Sequence, residues 1–216
     1  MTWSVGLTDR LGFFADLPVS WVLQDNNTND NFSKNKNFGI GDIQLGLNYL
    51  LLPEKNNRPD IIGSLEITFP TGDEPDFSND NKISLGNGHW EISTSLMAIK
   101  AYDPVILFGN IGYIYSFKNT FGEVEITPGN MLTYTFGAGF VPNSHLAFFS
   151  QFEGSYQTET KRNSVKIQGS NEDQMLIRNY ISYSFGKSHY IQPSISFGVN
   201  ENSPDFILDF SYFHRF

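Results

Sequence analysis

The strongest constraint on this chain is a period of two in its apolar residues, repeated along the sequence and never widened into a long apolar run. In Ile43-Gln44-Leu45-Gly46-Leu47-Asn48-Tyr49-Leu50-Leu51 every odd position is large and apolar, while most even positions are polar or small. A strand sends alternate side chains to opposite faces, so this pattern describes strands with one apolar and one polar face. The same alternation runs through 90–96, 132–140 and 177–185. No stretch approaches the ~18 apolar residues of a membrane-spanning helix.

About eleven segments have or approach the 9–11 residues that carry a tilted strand across a bilayer. They lie near 1–7, 11–24, 40–52, 60–70, 88–101, 104–117, 131–141, 145–157, 174–185, 189–199 and 205–216. Their connectors alternate in length. Short ones fall at 8–10, 53–59, 102–104, 142–144 and 186–188; long polar ones fall at 25–39, 71–87, 118–130 and 158–173, with a briefer last member at 200–204. Short turns at one end and long loops at the other are the signature of an up-and-down barrel of the bacterial outer membrane.

The chemistry of the two faces separates this from a soluble barrel, which alternates as well. A soluble barrel turns its polar face to water and charges it heavily. Here the polar set is mostly Ser, Thr, Gly, Gln and Asn with isolated charges, and the apolar set carries almost none. Trp3, Trp21 and Trp90 stand near segment ends, where interfacial aromatics belong. Twenty Phe and ten Tyr in 216 residues suit an outward aromatic band. The sequence therefore predicts an all-β fold, a single antiparallel up-and-down transmembrane β-barrel over 1–216. Its expected location is the bacterial cell outer membrane.

Composition excludes other classes. Cysteine is absent, so disulfides, thiolate metal sites and cysteine nucleophiles are excluded together. A net charge of -9 leaves no basic surface for nucleic acid. The opening Met1-Thr2-Trp3-Ser4-Val5 lacks the basic start and apolar run of a signal peptide and reads as a strand under way.

The last segment alternates apolar residues up to a terminal aromatic, and resembles the C-terminal assembly signal of outer-membrane proteins. Leu208, Phe210, Tyr212 and Phe216 carry that resemblance; His214 stands where another aromatic or apolar residue is usual. If Phe216 lies at the short-turn end, the eleven segments form an odd set. Bacterial single-chain barrels have even counts. The expectation is about twelve strands in the complete protein, with one strand and an export signal ahead of Met1.

Several short motifs point further. They are Gly6-Leu7-Thr8-Asp9-Arg10-Leu11, Gly39-Ile40-Gly41-Asp42 leading into Gln44-Leu45-Gly46-Leu47-Asn48-Tyr49, Phe69-Pro70-Thr71-Gly72-Asp73, and Phe108-Gly109-Asn110-Ile111-Gly112-Tyr113. Together, from Gly6 to Phe216, the chain resembles the outer-membrane family named for the phenol meta-cleavage degradation pathway. That resemblance implies a transporter-type barrel, some members being encoded beside enzymes of aromatic degradation, and brings no catalytic residues. The amyloid-subunit secretion channel of pseudomonads is a related possibility, though its long N-terminal extension has no counterpart here. The motifs also have a plain reading: Gly supplies positive φ and Asp caps backbone N–H groups in turns.

Alternation assigns Asp16, Asp42, Glu66, Glu91, Glu153 and Asp209 to the lumen, against Arg178 and Arg215. Such an acidic excess either lines a cation-attracting path or forms a hydrogen-bonded interior; the narrow lumen of about twelve strands favours a partly structural network. The rival class is an enzymatic barrel. None of His89, His145, His189 and His214 lies in a nucleophile motif, and Gly-x-Ser-x-Gly is absent, so no catalytic residue is assigned. The acidic clusters at Asp73, Glu74, Asp76 and Asp80, and at Glu172 and Asp173, lack the spacing of an EF-hand loop, so no metal or cofactor is assigned.

The expected function is a passive outer-membrane channel or transporter, with small hydrophobic or aromatic compounds as the substrate class. A protein-secretion channel or a non-conducting structural barrel is the alternative, and a lipid-modifying enzyme ranks below both. Expected partners are outer-membrane lipid, lipopolysaccharide, the barrel assembly machinery and a small-molecule substrate; a homo-oligomer stays open.

Overall fold

The structure, a computed structural model, describes residues 1–28, 31–55, 57–75, 83–186 and 188–215. Eleven strands form one antiparallel sheet: β1 (Thr2–Gly6), β2 (Leu11–Asp16), β5 (Ile43–Leu52), β6 (Asp60–Phe69), β7 (Glu91–Tyr102), β8 (Val105–Ser116), β11 (Met131–Asn143), β12 (Leu146–Gln157), β15 (Glu172–Phe185), β16 (His189–Gly198) and β17 (Phe206–His214). Each strand pairs with the next one in that order, giving an up-and-down meander. Ten antiparallel steps leave β1 and β17 parallel to each other, and the described strands do not close the sheet.

The remaining strands stand at the long-connector end. β3 (Val19–Thr28) and β4 (Asn31–Ile40) form a two-stranded ribbon, and β9 (Asn119–Phe121), β10 (Val124–Thr127), β13 (Lys161–Arg162) and β14 (Val165–Lys166) form a small sheet in the order β14-β13-β10-β9. Two expectations are corrected here. Segment 11–24 is not one strand, because Pro18 has no N–H to continue the ladder. Leu17 N–H still bonds Met1 O, Pro18 O accepts from Gly41 N–H, and the chain then leaves the main sheet as β3. The expected polar connectors at 25–39, 118–130 and 158–173 also contain strands, whose pairing satisfies their backbone groups.

Short turns are fixed by side chains. Thr8 Oγ1 accepts from the N–H groups of Arg10 and Leu11, and Asn143 Oδ1 from those of His145 and Leu146. Those caps set the register of the β1–β2 and β11–β12 hairpins, and register decides which face each side chain meets.

The outcome is an inside-out distribution. Among the described residues no hydrophobic side chain is buried, whereas Leu47, Leu65, Leu96, Ile111, Phe136, Ile177 and Phe197 are exposed on the outer face. Aromatics bound this band at both ends. Trp3, Trp90, Tyr115 and Phe117 lie toward the long connectors, and Tyr102, Phe140, Phe148, Tyr183, Phe185 and Tyr212 toward the short turns. Trp90 packs on Phe69 at 4.8 Å and Tyr115 on Phe117 at 4.9 Å between ring centroids. Lys100, at the short-turn end of the outer face, has its charge matched by Glu54 at 2.8 Å.

Candidate functional site: the inner wall

Even positions of β1, β2, β5, β6, β8, β15 and β16 and odd positions of β7, β11, β12 and β17 share the inner face, where side chains reach across an intervening strand. One end is acidic. The ladder places Asp16, Gln44, Thr68, Glu91 and Ser116 in a cross-strand row, with Glu66 one row deeper. Thr2 donates to Asp16 Oδ1 at 2.6 Å and Ser116 to Glu91 Oε1 at 2.7 Å. Among the described residues no lysine or arginine forms an ion pair with Glu66 or Glu91. Below them is a cavity of about 500 Å³ lined by Asn48, Ser64, Glu66, Ser95, Asn110 and Thr133. Asn110 Oδ1 is buried there with no hydrogen-bond partner among the described residues. A buried carbonyl of that kind calls for a water or solute donor.

The opposite part of the wall is built around Arg178. Its Nε donates to Ser196 Oγ at 3.0 Å and lies 3.5 Å from Glu153 Oε1, and its other arm lies 3.6 Å from Asp209 Oδ2. Gln151 donates to Glu153, and Ser194 to Asp209 at 3.3 Å. One arginine thus ties β12, β15, β16 and β17 together beside a cavity of about 330 Å³.

An aromatic ladder adjoins this knot. Phe108, Phe149 and Tyr180 project from β8, β12 and β15, with centroids 6.3 Å apart for the first pair and 4.6 Å, stacked, for the second. The strand between them, β11, has Gly137 and Gly139 facing inward, and a Cβ there would strike Phe108 Cζ at 2.7 Å and Phe149 Cε1 at 2.4 Å. Glycine at these two positions makes room for the rings.

Of the expected lumen residues, Asp16, Glu66, Glu91, Glu153, Arg178 and Asp209 take the inner face. Asp42 does not, which corrects the expectation. It is buried between strands, where Oδ1 accepts from Gly72 N–H at 3.0 Å and Oδ2 from Asn87 N–H at 2.6 Å. Thr71 completes this clasp, accepting from Ile43 N–H at 2.9 Å and donating to Gly41 O at 3.1 Å. Two family-like motifs, Gly39 to Asp42 and Phe69 to Asp73, therefore meet as a structural joint: Asp42 caps backbone N–H groups as the turn reading expects, whereas Gly39, Gly41 and Gly72 serve close packing and none has a positive φ. Arg215 lies past β17 at the short-turn end, exposed, with its N–H on Ser188 O. Leu208, Phe210 and Tyr212 form an exposed outer row on β17, while Phe216 lies outside the described residues, as do Asp76 and Asp80. Sequence reasoning missed Asn110 and the aromatic ladder. Their only sequence signal was a break in alternation, with apolar rings and glycines sharing the polar set.

A family model described as "Putative MetA-pathway of phenol degradation" matches residues 1–216. The chain belongs to this family. Its fold is similar to that in the crystal structure of an outer membrane channel from Pseudomonas putida F1, with a TM-score of 0.81 and 17% identity over 99% of this chain and 80% of that one. In this chain the inner wall combines an acidic rim, an arginine knot and an aromatic ladder on one all-β scaffold.

Proposed function

We propose that the protein is a passive channel or transporter of the bacterial outer membrane, taking small hydrophobic or aromatic compounds. The observation that carries this is the inside-out wall: an apolar outer band between aromatic girdles, and an inner face of hydroxyls, amides and charges with open volume. A hydrocarbon surrounding makes such an outer face favourable, since each strand between β1 and β17 pairs on both sides and the apolar side chains need no water. The channel named in the similar structure supports the transport reading, and the family description supports the aromatic substrate class. Phe108, Phe149 and Tyr180 offer rings to an aromatic solute, with Ser194 and Gln151 nearby for its polar group.

In this reading the short turns face the periplasm, lipid and lipopolysaccharide surround the band, and the outer row of β17 engages the assembly machinery. No bond-making chemistry is assigned. The test is reconstitution in planar bilayers and liposomes. Ion conductance, together with entry of phenol-sized aromatics that falls several-fold in Phe149→Ala/Tyr180→Ala, is the expected result. The Arg178 knot favours a second reading, a non-conducting structural barrel. Absence of conductance and of solute entry in correctly folded protein would establish that reading and remove the channel.

A further inference from the structure

His189 and His214 face each other in register on β16 and β17, at the short-turn end of the outer face. Their Nδ1 atoms are 3.3 Å apart and their ring centroids 4.7 Å apart. Tyr212 OH lies 2.8 Å from His189 Nδ1, and Phe185 stacks on the same imidazole at 5.4 Å. The hydroxyl and both rings therefore converge on one point, and Phe185 limits the freedom of His189.

We propose that His189 and His214 form a two-imidazole site for a divalent transition ion of the zinc class, with Tyr212 OH as a neighbouring oxygen. The spacing carries the proposal. Two metal–nitrogen bonds of about 2.0–2.1 Å meeting at the tetrahedral angle separate their nitrogens by about 3.3–3.4 Å. The two Nδ1 atoms, hydrogen-bonded to each other without the ion, already stand at that separation, and rotation of the rings directs both lone pairs toward a shared ion. In that state each ring carries its proton on Nε2. Imidazole donors select Zn²⁺, Ni²⁺ or Cu²⁺ over Mg²⁺ and Ca²⁺, which demand oxygen cages. Two protein nitrogens leave positions for water, and the ion links the last two strands of the sheet side chain to side chain.

The competing role is a hydrogen-bonded aromatic cluster, the imidazoles serving as members of the girdle. Phenylalanine keeps the ring and removes the nitrogen, so His189→Phe and His214→Phe separate the two. Tag-free protein folded in detergent micelles, with folding checked by heat-modifiable gel migration, is titrated calorimetrically with ZnCl₂ alone. One equivalent is expected to bind, at least tenfold more weakly in either variant and with unchanged affinity in His145→Asn. A Cu²⁺ titration followed by electron paramagnetic resonance should show two nitrogen donors in the wild type and not in His189→Phe. Absence of saturable Zn²⁺ binding, or wild-type affinity in either folded phenylalanine variant, would overturn the site.

Discussion

At the scale of single residues, the inner wall's charge is decided by what each carboxylate can reach. Glu153 and Asp209 share the single positive charge of Arg178, Asp16 lies 3.5 Å from the Met1 ammonium, and Asp42 is occupied by two backbone N–H groups, so among the described residues the inner-wall carboxylates without an ion-pair partner are Glu66 and Glu91. Cation preference should therefore follow these two. Glu66→Gln/Glu91→Gln is expected to move the reversal potential in a salt gradient toward zero, whereas Glu153→Gln alone should change it little; an unchanged potential in the double variant would remove them from the ion path. The preference should also fade at ~1 M salt, where the screening length is about 3 Å rather than the ~10 Å at 0.1 M. His89, in the connector before β7, gives a second expectation. Burial lowers its pKa below the usual 6.5, outweighing the hydrogen bond it donates to Phe117 O at 2.9 Å and the nearby Glu91, Asp42 and Glu74. The neutral ring is thus the one the fold favours. Its contribution to stability is complete above the ordinary value of 6.5 and is lost as pH falls through the lowered one. Thermal unfolding in detergent should show this acid-side loss, and His89→Phe should flatten it.

At the scale of elements, strands and joints fail for different reasons. The outer face of β5 and β11 excludes charge, and arginine at the middle of a bilayer-facing strand costs about 2–4 kcal/mol. Leu47→Arg and Phe136→Arg should lower the yield of folded barrel in lipid to that extent, as urea titration into liposomes would measure. If both variants fold normally in detergent-free buffer, the face assignment is inverted. The clasp behaves differently, because Asp42, just before β5, satisfies N–H groups near both ends of the connector between β6 and β7. Asp42→Ala leaves Gly72 and Asn87 N–H without their acceptor, a loss of about 1–3 kcal/mol that should appear as proteolytic cutting in the long connectors while β-sheet circular dichroism persists. Gly86 has no room for a side chain there, since a Cβ would come within 2.3 Å of Asp42 Oδ1.

At the scale of the whole molecule, the open quantity is closure. β1 and β17 each pair on one side only, and unpaired backbone groups cost several kcal/mol each in hydrocarbon. Since β1 and β17 are parallel, one further strand running opposite to both completes an even, fully antiparallel ring. If such a strand fills the gap, amide exchange of the protein in lipid should be as slow in β1 and β17 as in β7 and β8. Fast exchange confined to those two edges would show that no strand fills the gap.

What the sequence determined by itself is the set that follows from a backbone property. Alternation is built into an extended chain, so the strands, their two faces, the outer apolar band, the contrast of short and long connectors and the inward parity of Glu66, Glu91, Glu153, Arg178 and Asp209 were all legible in residue order. Pro18 was legible too, but its consequence was not, because a strand break can end a strand or redirect it into a ribbon. Tertiary structure alone decided which inward charges meet, why Asp42 belongs to a joint, how Gly137 and Gly139 seat an aromatic ladder, and that His189 faces His214. Each of these depends on cross-strand register, which caps such as Thr8 and Asn143 and the irregularities at Leu50/Leu52 and Phe140/Asn143 set from positions distant in sequence. A shift of one residue would preserve every local pattern and exchange every partner.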